Sequence, residues 1–168
     1  MTLRPYRSVL YIPGGRARAL DKARTMPVDS IIFDLEDAVA LEEKASARAT
    51  LVAHLLEGGY GPCSQIIRIN GLDTPWAAED IAAIAEVRPE AVLLPKVDNA
   101  QMIAQLGALM DRHEGFENTQ IWAMMETPRG MLNASAVAAH PKLEGMVMGT
   151  NDLAKELQCR FRADRLPM

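Results

Sequence analysis

Short apolar runs alternate with helix-patterned segments along the chain, and this alternation predicts an α/β fold built from βα units. The apolar runs are nearly continuous rather than strictly alternating, which is typical of parallel strands covered by helices. They recur at βα spacing, because a parallel connection needs a crossover long enough to hold a helix. The chain has 168 residues, of which 49% are hydrophobic, which is enough for one domain with a substantial core.

Each strand is predicted from an apolar run, and each helix from the spacing of apolar residues between two runs. The first run ends at Pro13-Gly14-Gly15, where glycine permits a tight turn. The second run is Ile-Ile-Phe followed closely by three carboxylates. The predicted strands cover residues 8–13, 30–36, 64–70, 91–97, 120–126 and 145–149. The predicted helical segments cover residues 16–26, 42–58, 74–87, 99–115 and 127–140.

Two architectures fit repeated βα units, a doubly wound open sheet and a (β/α)8 barrel. The first loop, PGGRAR, lacks the GxGxxG pattern, and no acidic residue stands where a dinucleotide ribose would need it. A barrel, however, needs eight units and usually about 250 residues, whereas this chain has six units. The chain is therefore either an open sheet or about three quarters of a barrel.

Polar side chains follow five consecutive predicted strands at their carboxyl ends, where (β/α)8 enzymes place their chemistry. Because residues two apart share one face of a strand, Asp34 pairs with Glu36 and Arg68 with Asn70. We therefore predict a TIM (β/α)8-type barrel, of which residues 1–168 form a single incomplete domain with about the first six βα units. The candidate site residues at these strand ends are Asp34, Glu36, Asp37, Arg68, Asn70, Lys96, Glu126, Gly149, Thr150, Asn151 and Asp152.

The residue types at these strand ends predict a metal site. Glu126 and Asp152 supply oxygen ligands, the carboxylates of the second strand can hold the waters of a cation, and that cation would offset their mutual repulsion. Arg68 offers a planar fork for a carboxylate or enolate oxygen. Oxygen ligation favours magnesium or manganese over zinc. The three histidines fall in or near helical segments, so neither a zinc site nor a histidine-dependent triad is predicted.

Composition excludes several classes of function. The net charge of −4 argues against a nucleic-acid surface, and no apolar stretch is long enough to span a membrane. The N-terminal segment MTLRPYRSVLYIPGG is not expected to be a signal peptide. Cys63 and Cys159 are interpreted as thiols of a cytoplasmic protein, not as a disulfide frame or zinc site.

With these residues in view, the sequence resembles the citrate lyase beta-subunit-like family, in the HpcH/HpaI aldolase/citrate lyase superfamily, which is related to metal-dependent 2-oxo acid aldolases. Two segments, WAMMETPRGMLNA (122–134) and GMVMGTNDLAKEL (145–157), look especially like the malyl-CoA lyase and malyl-CoA thioesterase branch. The other matching motifs are RSVLYIPG (7–14), IIFDLEDAV (31–39), KASAR (44–48), IRIN (67–70) and LLPKV (93–97).

The resemblance implies a role for each matching position. Glu126 and Asp152 would bind magnesium, Glu36 and Asp37 would act through the waters of the metal, and Arg68 would bind the substrate carboxylate and the oxygen on which charge develops. The remaining expected contacts are Lys96, Gly149, Thr150 and Asn151 with substrate, and Arg16, Arg18 and Lys22 with coenzyme A phosphates. For these three basic residues, a solvated helix face is an equally good interpretation.

The implied reaction is cleavage of a carbon–carbon bond in a malyl-, citramalyl- or citryl-type CoA thioester, which releases a keto acid and an acyl-CoA. Malyl-CoA hydrolysis, 2-oxo acid aldolase chemistry and a truncated, non-catalytic binding subunit remain alternatives. A Schiff-base mechanism at Lys96 is disfavoured, because nearby carboxylates keep a lysine protonated. The resemblance also implies a homo-oligomer, a trimer or hexamer. Family members continue beyond this length and supply a further acidic residue, so this piece alone is expected to turn over poorly.

Overall fold

The computed structural model describes residues 6–166. The first five residues of the N-terminal segment considered above, and residues 167–168, lie outside the described part. The strands are β1 (Val9–Pro13), β2 (Ser30–Asp34), β3 (Ser64–Arg68), β4 (Ala91–Leu94), β5 (Gln120–Met125) and β6 (Leu143–Met148). The helices are α1 (Ala17–Ala23), α2 (Lys44–Glu57), α3 (Ala77–Ile84), α4 (Ala100–Met110), α5 (Pro128–Leu132), α6 (Ala134–Ala138) and α7 (Thr150–Glu156). Short 3₁₀ turns at Leu41–Glu43 and Ala85–Val87 precede α2 and follow α3.

The six strands form one parallel sheet, and their order in space is their order in sequence. A doubly wound sheet reverses direction at a switch point, whereas barrel strands are added sequentially around one axis. The predicted α/β class is therefore confirmed, and the strand order is the one expected for a barrel. In the described part of the chain, β1 and β6 are the two edges of the sheet.

Side chains alternate between two apolar layers along each strand. One layer lies between the sheet and the helices, and it includes Phe33, Ile67 and Leu51. The other layer lines the opposite face of the sheet, and its buried members are Ile32, Ile66, Ala91, Leu93, Trp122 and Met124. Asp34, Arg68 and Glu126 lie two residues beyond Ile32, Ile66 and Met124, so the alternation places all three on this second face. The packing of the strands thus delivers charged groups to one end of the inner layer.

The helices differ from prediction in two places. Residues 127–140, predicted as one segment, form α5 and α6 with a break at Asn133, whose side-chain amide donates to the Asp98 carbonyl at 2.8 Å. Asn133 has φ −99° and ψ 7°, which lie outside helical geometry. The residue that makes this hydrogen bond is therefore also the residue at which the helix is interrupted. Helix α7 was not predicted at all, because the segment after the sixth strand was interpreted only as a strand end.

Two expectations from composition can be compared with the described residues. None of the helices in residues 6–166 is long and apolar enough to cross a membrane. Cys63 and Cys159, both partly buried, form no disulfide in this part of the chain.

Candidate active site at the carboxyl ends of the strands

A cavity of about 530 Å³ opens at the carboxyl ends of the strands. Its walls come from β1, β2, β3, β5, β6 and the start of α7, so elements far apart in sequence meet there. The charged residues that line it are Asp34, Asp37, Arg68, Glu126 and Asp152, and Gly149, Thr150 and Asn151 complete one wall. The structure therefore brings together most of the site residues predicted from the strand ends.

Arg68 is held by Asp34, the residue directly opposite it in the register of β2 and β3. The guanidinium donates from Nε to Asp34 Oδ1 at 2.8 Å and from Nη2 to Oδ2 at 2.6 Å. Both side chains are buried. Although burial by itself would lower it, the pKa of Arg68 is raised by these hydrogen bonds, so the guanidinium stays charged. This bidentate pair leaves Nη1 outside the contact with Asp34, and Nη1 donates to Met124 Sδ at 3.5 Å.

The Asp34 carboxylate also shapes the loop that follows β2. It accepts from the backbone N–H of Glu36 at 2.9 Å and from that of Ala38 at 3.1 Å. Lys44 closes the same loop, because its ammonium donates to the carbonyls of Leu35 at 2.9 Å and Glu36 at 2.7 Å. Burial lowers the pKa of Lys44. The position of Glu36 is therefore set by the backbone hydrogen bonds of its own loop.

Glu36 and Asp37 both face basic groups. Glu36 Oε2 lies 3.1 Å from Arg68 Nη1, and Glu36 Oε1 lies 2.5 Å from Lys96 Nζ. Asp37, whose side chain is 52% exposed, stands 3.6 Å from Arg68 and 3.8 Å from Lys96. Burial raises the pKa of Glu36, and the hydrogen bond from Lys96 opposes that shift.

Arg68 and Lys96 thus offset the repulsion among the carboxylates at the end of β2 and in the loop that follows it. The sequence suggested that a bound cation would offset this repulsion, whereas in the structure two basic side chains do so. The same contacts weigh against Lys96 as a Schiff-base nucleophile. Its pKa is raised, because its pairing with Glu36 outweighs the lowering by burial. A nucleophilic amine needs the opposite shift.

Glu126 is the most deeply buried carboxylate in the cavity. It is 1% exposed, and it forms no ion pair within the described residues. The backbone N–H of Lys96 donates to its Oε1 at 2.8 Å. Burial raises the pKa of Glu126 to about 7, and the negative charges of Glu36 and Asp152 act in the same direction. A buried carboxylate in this condition gains stability from any cation that reaches it.

Asp152 lies in the first turn of α7, and Gly149, which precedes this helix, packs against Glu126. A Cβ added at Gly149 would lie 2.5 Å from Glu126 Cβ and 2.6 Å from its Oε2. Glycine is therefore the residue that lets β6 end beside the Glu126 carboxylate. This close approach brings the predicted ligands Glu126 and Asp152 to the same cavity.

The donor set fits a hard divalent cation. Glu126 and Asp152 offer carboxylate oxygens from one wall, and magnesium commonly takes one or two carboxylates while keeping several waters. In residues 6–166, no cluster of three or more histidine, cysteine or acidic side chains has the arrangement of a metal site made of protein ligands alone. None of the three histidines lines the cavity in this part of the chain.

The basic residues predicted for coenzyme A lie apart from this cavity. The three residues are exposed: Arg16 directly precedes α1, and Arg18 and Lys22 lie on it. None of them lines the cavity described above. Arg18 and Lys22 are four residues apart, so they share one helix face. Exposed basic side chains of this kind suit either a phosphate contact or a solvated helix face.

Sequence reasoning missed a second group of residues that shapes the site. Asp80, fully buried, accepts from Arg48 Nε at 2.8 Å, from the Asn70 N–H at 2.9 Å and from its side-chain amide at 2.7 Å. This network fixes Asn70 at the wall of a neighbouring cavity of about 400 Å³, which also touches Glu36, Asp37 and Lys96. In the sequence, only the position of Asn70 at a strand end indicated this network. Asp80 was interpreted as an ordinary residue of a helical segment.

The comparisons with known proteins agree with this geometry. The family described as HpcH/HpaI aldolase/citrate lyase matches residues 7–165. The (3S)-malyl-CoA thioesterase of Cereibacter sphaeroides is 54% identical over 164 residues, which are 98% of this chain and 55% of that protein. Citrate lyase subunit beta of Escherichia coli is 34% identical over 170 residues, which cover 98% of this chain and 55% of that subunit. The chain thus spans about half the length of these curated relatives.

Two solved structures extend the comparison. RipC from Yersinia pestis is 31% identical, with a TM-score of 0.72, and the match covers 94% of this chain and 64% of that one. CitE from Mycobacterium tuberculosis, in complex with magnesium, acetoacetate and coenzyme A, is 30% identical, with a TM-score of 0.74 and coverage of 93% and 54%. The resemblance found in the motifs is therefore confirmed, and this chain belongs to the HpcH/HpaI aldolase/citrate lyase family.

Proposed function

We propose that the protein binds a malyl-type CoA thioester with magnesium at the cavity described above and hydrolyses the thioester bond. The observation that carries this proposal is one cavity in which an anchored Arg68 faces two carboxylates, Glu126 and Asp152. The 54% identity with a (3S)-malyl-CoA thioesterase supports both the substrate class and hydrolysis as the outcome.

Glu126 and Asp152 are the residues that would hold magnesium, since both line the cavity and Glu126 lacks a cationic partner among the described side chains. When bound, the cation supplies Lewis-acid polarisation of a substrate carbonyl. Manganese has the same ligand preference and is a plausible substitute. Glu36 and Asp37 would orient waters at the opposite side of the cavity.

Arg68 would bind the carboxylate at the malyl end of the substrate. Its Nε and Nη2 are bound to Asp34, so Nη1 is the group that would bind the ligand, in exchange for its contact with Met124 Sδ at 3.5 Å. A donor that is already oriented loses little freedom on binding, which is the basis of electrostatic preorganisation. The backbone N–H groups and side chains of Thr150 and Asn151 would bind further oxygens of the same group, because N–H groups in a first helical turn have no acceptor within their helix. Gly149 would contact the substrate through the space left by its missing side chain, since its own N–H already donates to the Met125 carbonyl at 3.0 Å.

The coenzyme A part of the substrate would extend out of the cavity. We assign its phosphates to Arg16, Arg18 and Lys22, which are exposed on α1. We also propose that the protein assembles as a homo-oligomer, a trimer or hexamer, which light scattering would test. This last assignment rests on family membership.

Carbon–carbon cleavage is the second candidate. It would release glyoxylate and acetyl-CoA from malyl-CoA, and the same groups that polarise a carbonyl for water would stabilise the oxygen of the departing keto acid. Two observations favour it, the 34% identity with citrate lyase subunit beta and the solved complex of CitE with magnesium, acetoacetate and coenzyme A.

The experiment follows free thiol and glyoxylate separately during incubation with malyl-CoA, with and without magnesium. Hydrolysis releases thiol and malate without glyoxylate, whereas cleavage releases glyoxylate without thiol. Glu126→Gln should abolish either signal, and Glu144→Gln, a change at an exposed carboxylate outside this cavity, serves as the matched control. If the whole protein, tested at the length of its relatives, forms neither product in magnesium, the proposed enzymatic function is wrong and a binding role takes its place.

A further inference from the structure

Lys96 occupies an unusual backbone position between β4 and α4. Its φ is 52°, in the left-handed region that residues with a Cβ seldom adopt. Backbone conformations of this kind persist only where the surrounding structure requires them, and they cluster at functional sites. The contacts of Lys96 identify the groups that hold it in this conformation.

The backbone of Lys96 reaches one side of the site. Its N–H donates to Glu126 Oε1 at 2.8 Å, and this is a hydrogen bond to the carboxylate that we assign to magnesium. Because the left-handed conformation determines where this N–H points, the orientation of Glu126 depends on the conformation of Lys96.

The side chain of Lys96 reaches the other side. Its ammonium lies 2.5 Å from Glu36 Oε1, and Glu36 Oε2 in turn lies 3.1 Å from Arg68 Nη1. With Asp34 on the far edge of Arg68, four side chains of alternating charge form one row. Lys96 is the open end of this row, since its side chain is 46% exposed. Without its ammonium, Glu36 would have Arg68 as its nearest cation and would draw Nη1 away from the cavity.

We infer that Lys96 is a positioning residue, which sets Glu126 through its backbone and Arg68 through Glu36, instead of a residue that contacts substrate. The inference rests on the proposed function, because it concerns the same site for magnesium and the substrate carboxylate. It reassigns Lys96, for which the sequence suggested direct contact with substrate. Lys96 does not line the cavity that holds Arg68, Glu126 and Asp152, and its ammonium is paired with the buried Glu36.

The test measures glyoxylate binding to the magnesium-loaded chain by calorimetry. We expect Lys96→Met to weaken glyoxylate affinity by about tenfold, the usual effect of removing a group that orients a ligand of the site. Lys96→Arg, which keeps the charge, should restore most of the affinity. Lys142→Met is the matched control, because Lys142 is 47% exposed and pairs with Asp111 at 2.8 Å at a distance from the site. It should leave the affinity unchanged.

A second background separates positioning through Glu36 from general structural damage. In a Glu36→Gln background, Lys96→Met should change glyoxylate affinity by less than about twofold, because the charge that Lys96 orients is already absent. Equal tenfold losses in both backgrounds, or wild-type affinity in Lys96→Met itself, would overturn the inference. Glyoxylate serves as a carboxylate probe of the substrate site at Arg68 and magnesium, which the proposed function requires. If the unsubstituted chain binds no glyoxylate in magnesium, the proposed function fails and the inference fails with it. This outcome is distinct from normal binding that Lys96→Met leaves unaltered.

Discussion

The pairing of Asp34 with Arg68 makes a sharp prediction about stability. The Asp34 carboxylate accepts four hydrogen bonds, two from the Arg68 guanidinium and two from the backbone of Glu36 and Ala38. An Asp34→Asn side chain has the same shape but only one acceptor oxygen. Whichever way its amide is turned, one hydrogen bond from Arg68 and one from the backbone are lost, and two donors face an NH₂ group.

The cost follows from the burial of both partners. Losing a hydrogen bond to a charged group costs about 1.5–3 kcal/mol and losing an ordinary one about 1 kcal/mol, so Asp34→Asn should lower the free energy of unfolding by about 3–4 kcal/mol. The range of about 3–5 kcal/mol for breaking a buried ion pair agrees with this figure. In a chain of this length, the Tm should fall by about 6–16 °C.

The assay is urea denaturation followed by circular dichroism, with Asp37→Asn as the control. Asp37 is an adjacent carboxylate that also faces Arg68, but its side chain is 52% exposed and 3.6 Å away. Its substitution should cost less than about 1 kcal/mol. Equal and small losses for the two variants would refute the claim that Asp34 anchors Arg68.

Three further predictions concern the site. Arg68→Lys should weaken glyoxylate binding at least about tenfold, since a point charge cannot reproduce a planar fork that is shared with Asp34; calorimetry with magnesium present measures this. Gly149→Ala should weaken magnesium binding, because the added Cβ would displace Glu126, whereas Gly61→Ala, with no neighbour within 4 Å, should leave it unchanged. In metal-free protein, burial raises the pKa of Glu126 to about 7, so its proton is bound more tightly in the folded state than in the unfolded state. The stability that this proton contributes is fully present below the ordinary pKa of about 4.5 and is lost as the pH rises through 7, by about 1–3 kcal/mol. Urea denaturation at pH 5 and pH 8 should show this loss, and Glu126→Gln should remove it.

Much of the fold could be predicted from the sequence, because it depends on local patterns. All six strands lie within a few residues of their predicted positions, since a buried parallel strand is a continuous apolar run. The break at Asn133 could not be predicted in this way. It depends on a hydrogen bond to Asp98, 35 residues earlier in the chain. Helix α7 was missed because its first residues, Thr150 to Asp152, were interpreted as the polar end of the sixth strand.

The sequence indicated which residues lie together at the candidate site, but not which of them pair with one another. The ends of parallel strands meet at one edge of the sheet, so Arg68, Glu126 and Asp152 could be assigned together. Which carboxylate pairs with which base depends on strand register and side-chain reach. The register sets Asp34 opposite Arg68, and this pairing makes Asp34 the residue that holds the guanidinium in place. The left-handed backbone of Lys96 has no sequence signal, because lysine does not favour it.

The most direct test of the central claim is a calorimetric titration of the protein with magnesium, repeated on Glu126→Gln, Asp152→Asn and the exposed control Glu144→Gln. We expect the unsubstituted chain and the control to bind one magnesium ion with equal affinity. Each of the two site variants should bind it at least about tenfold more weakly, as expected when a charged ligand is removed from a site with few protein ligands. Unchanged affinity in Glu126→Gln and Asp152→Asn, or no magnesium binding by the unsubstituted chain, would contradict the assignment of this cavity as a magnesium site.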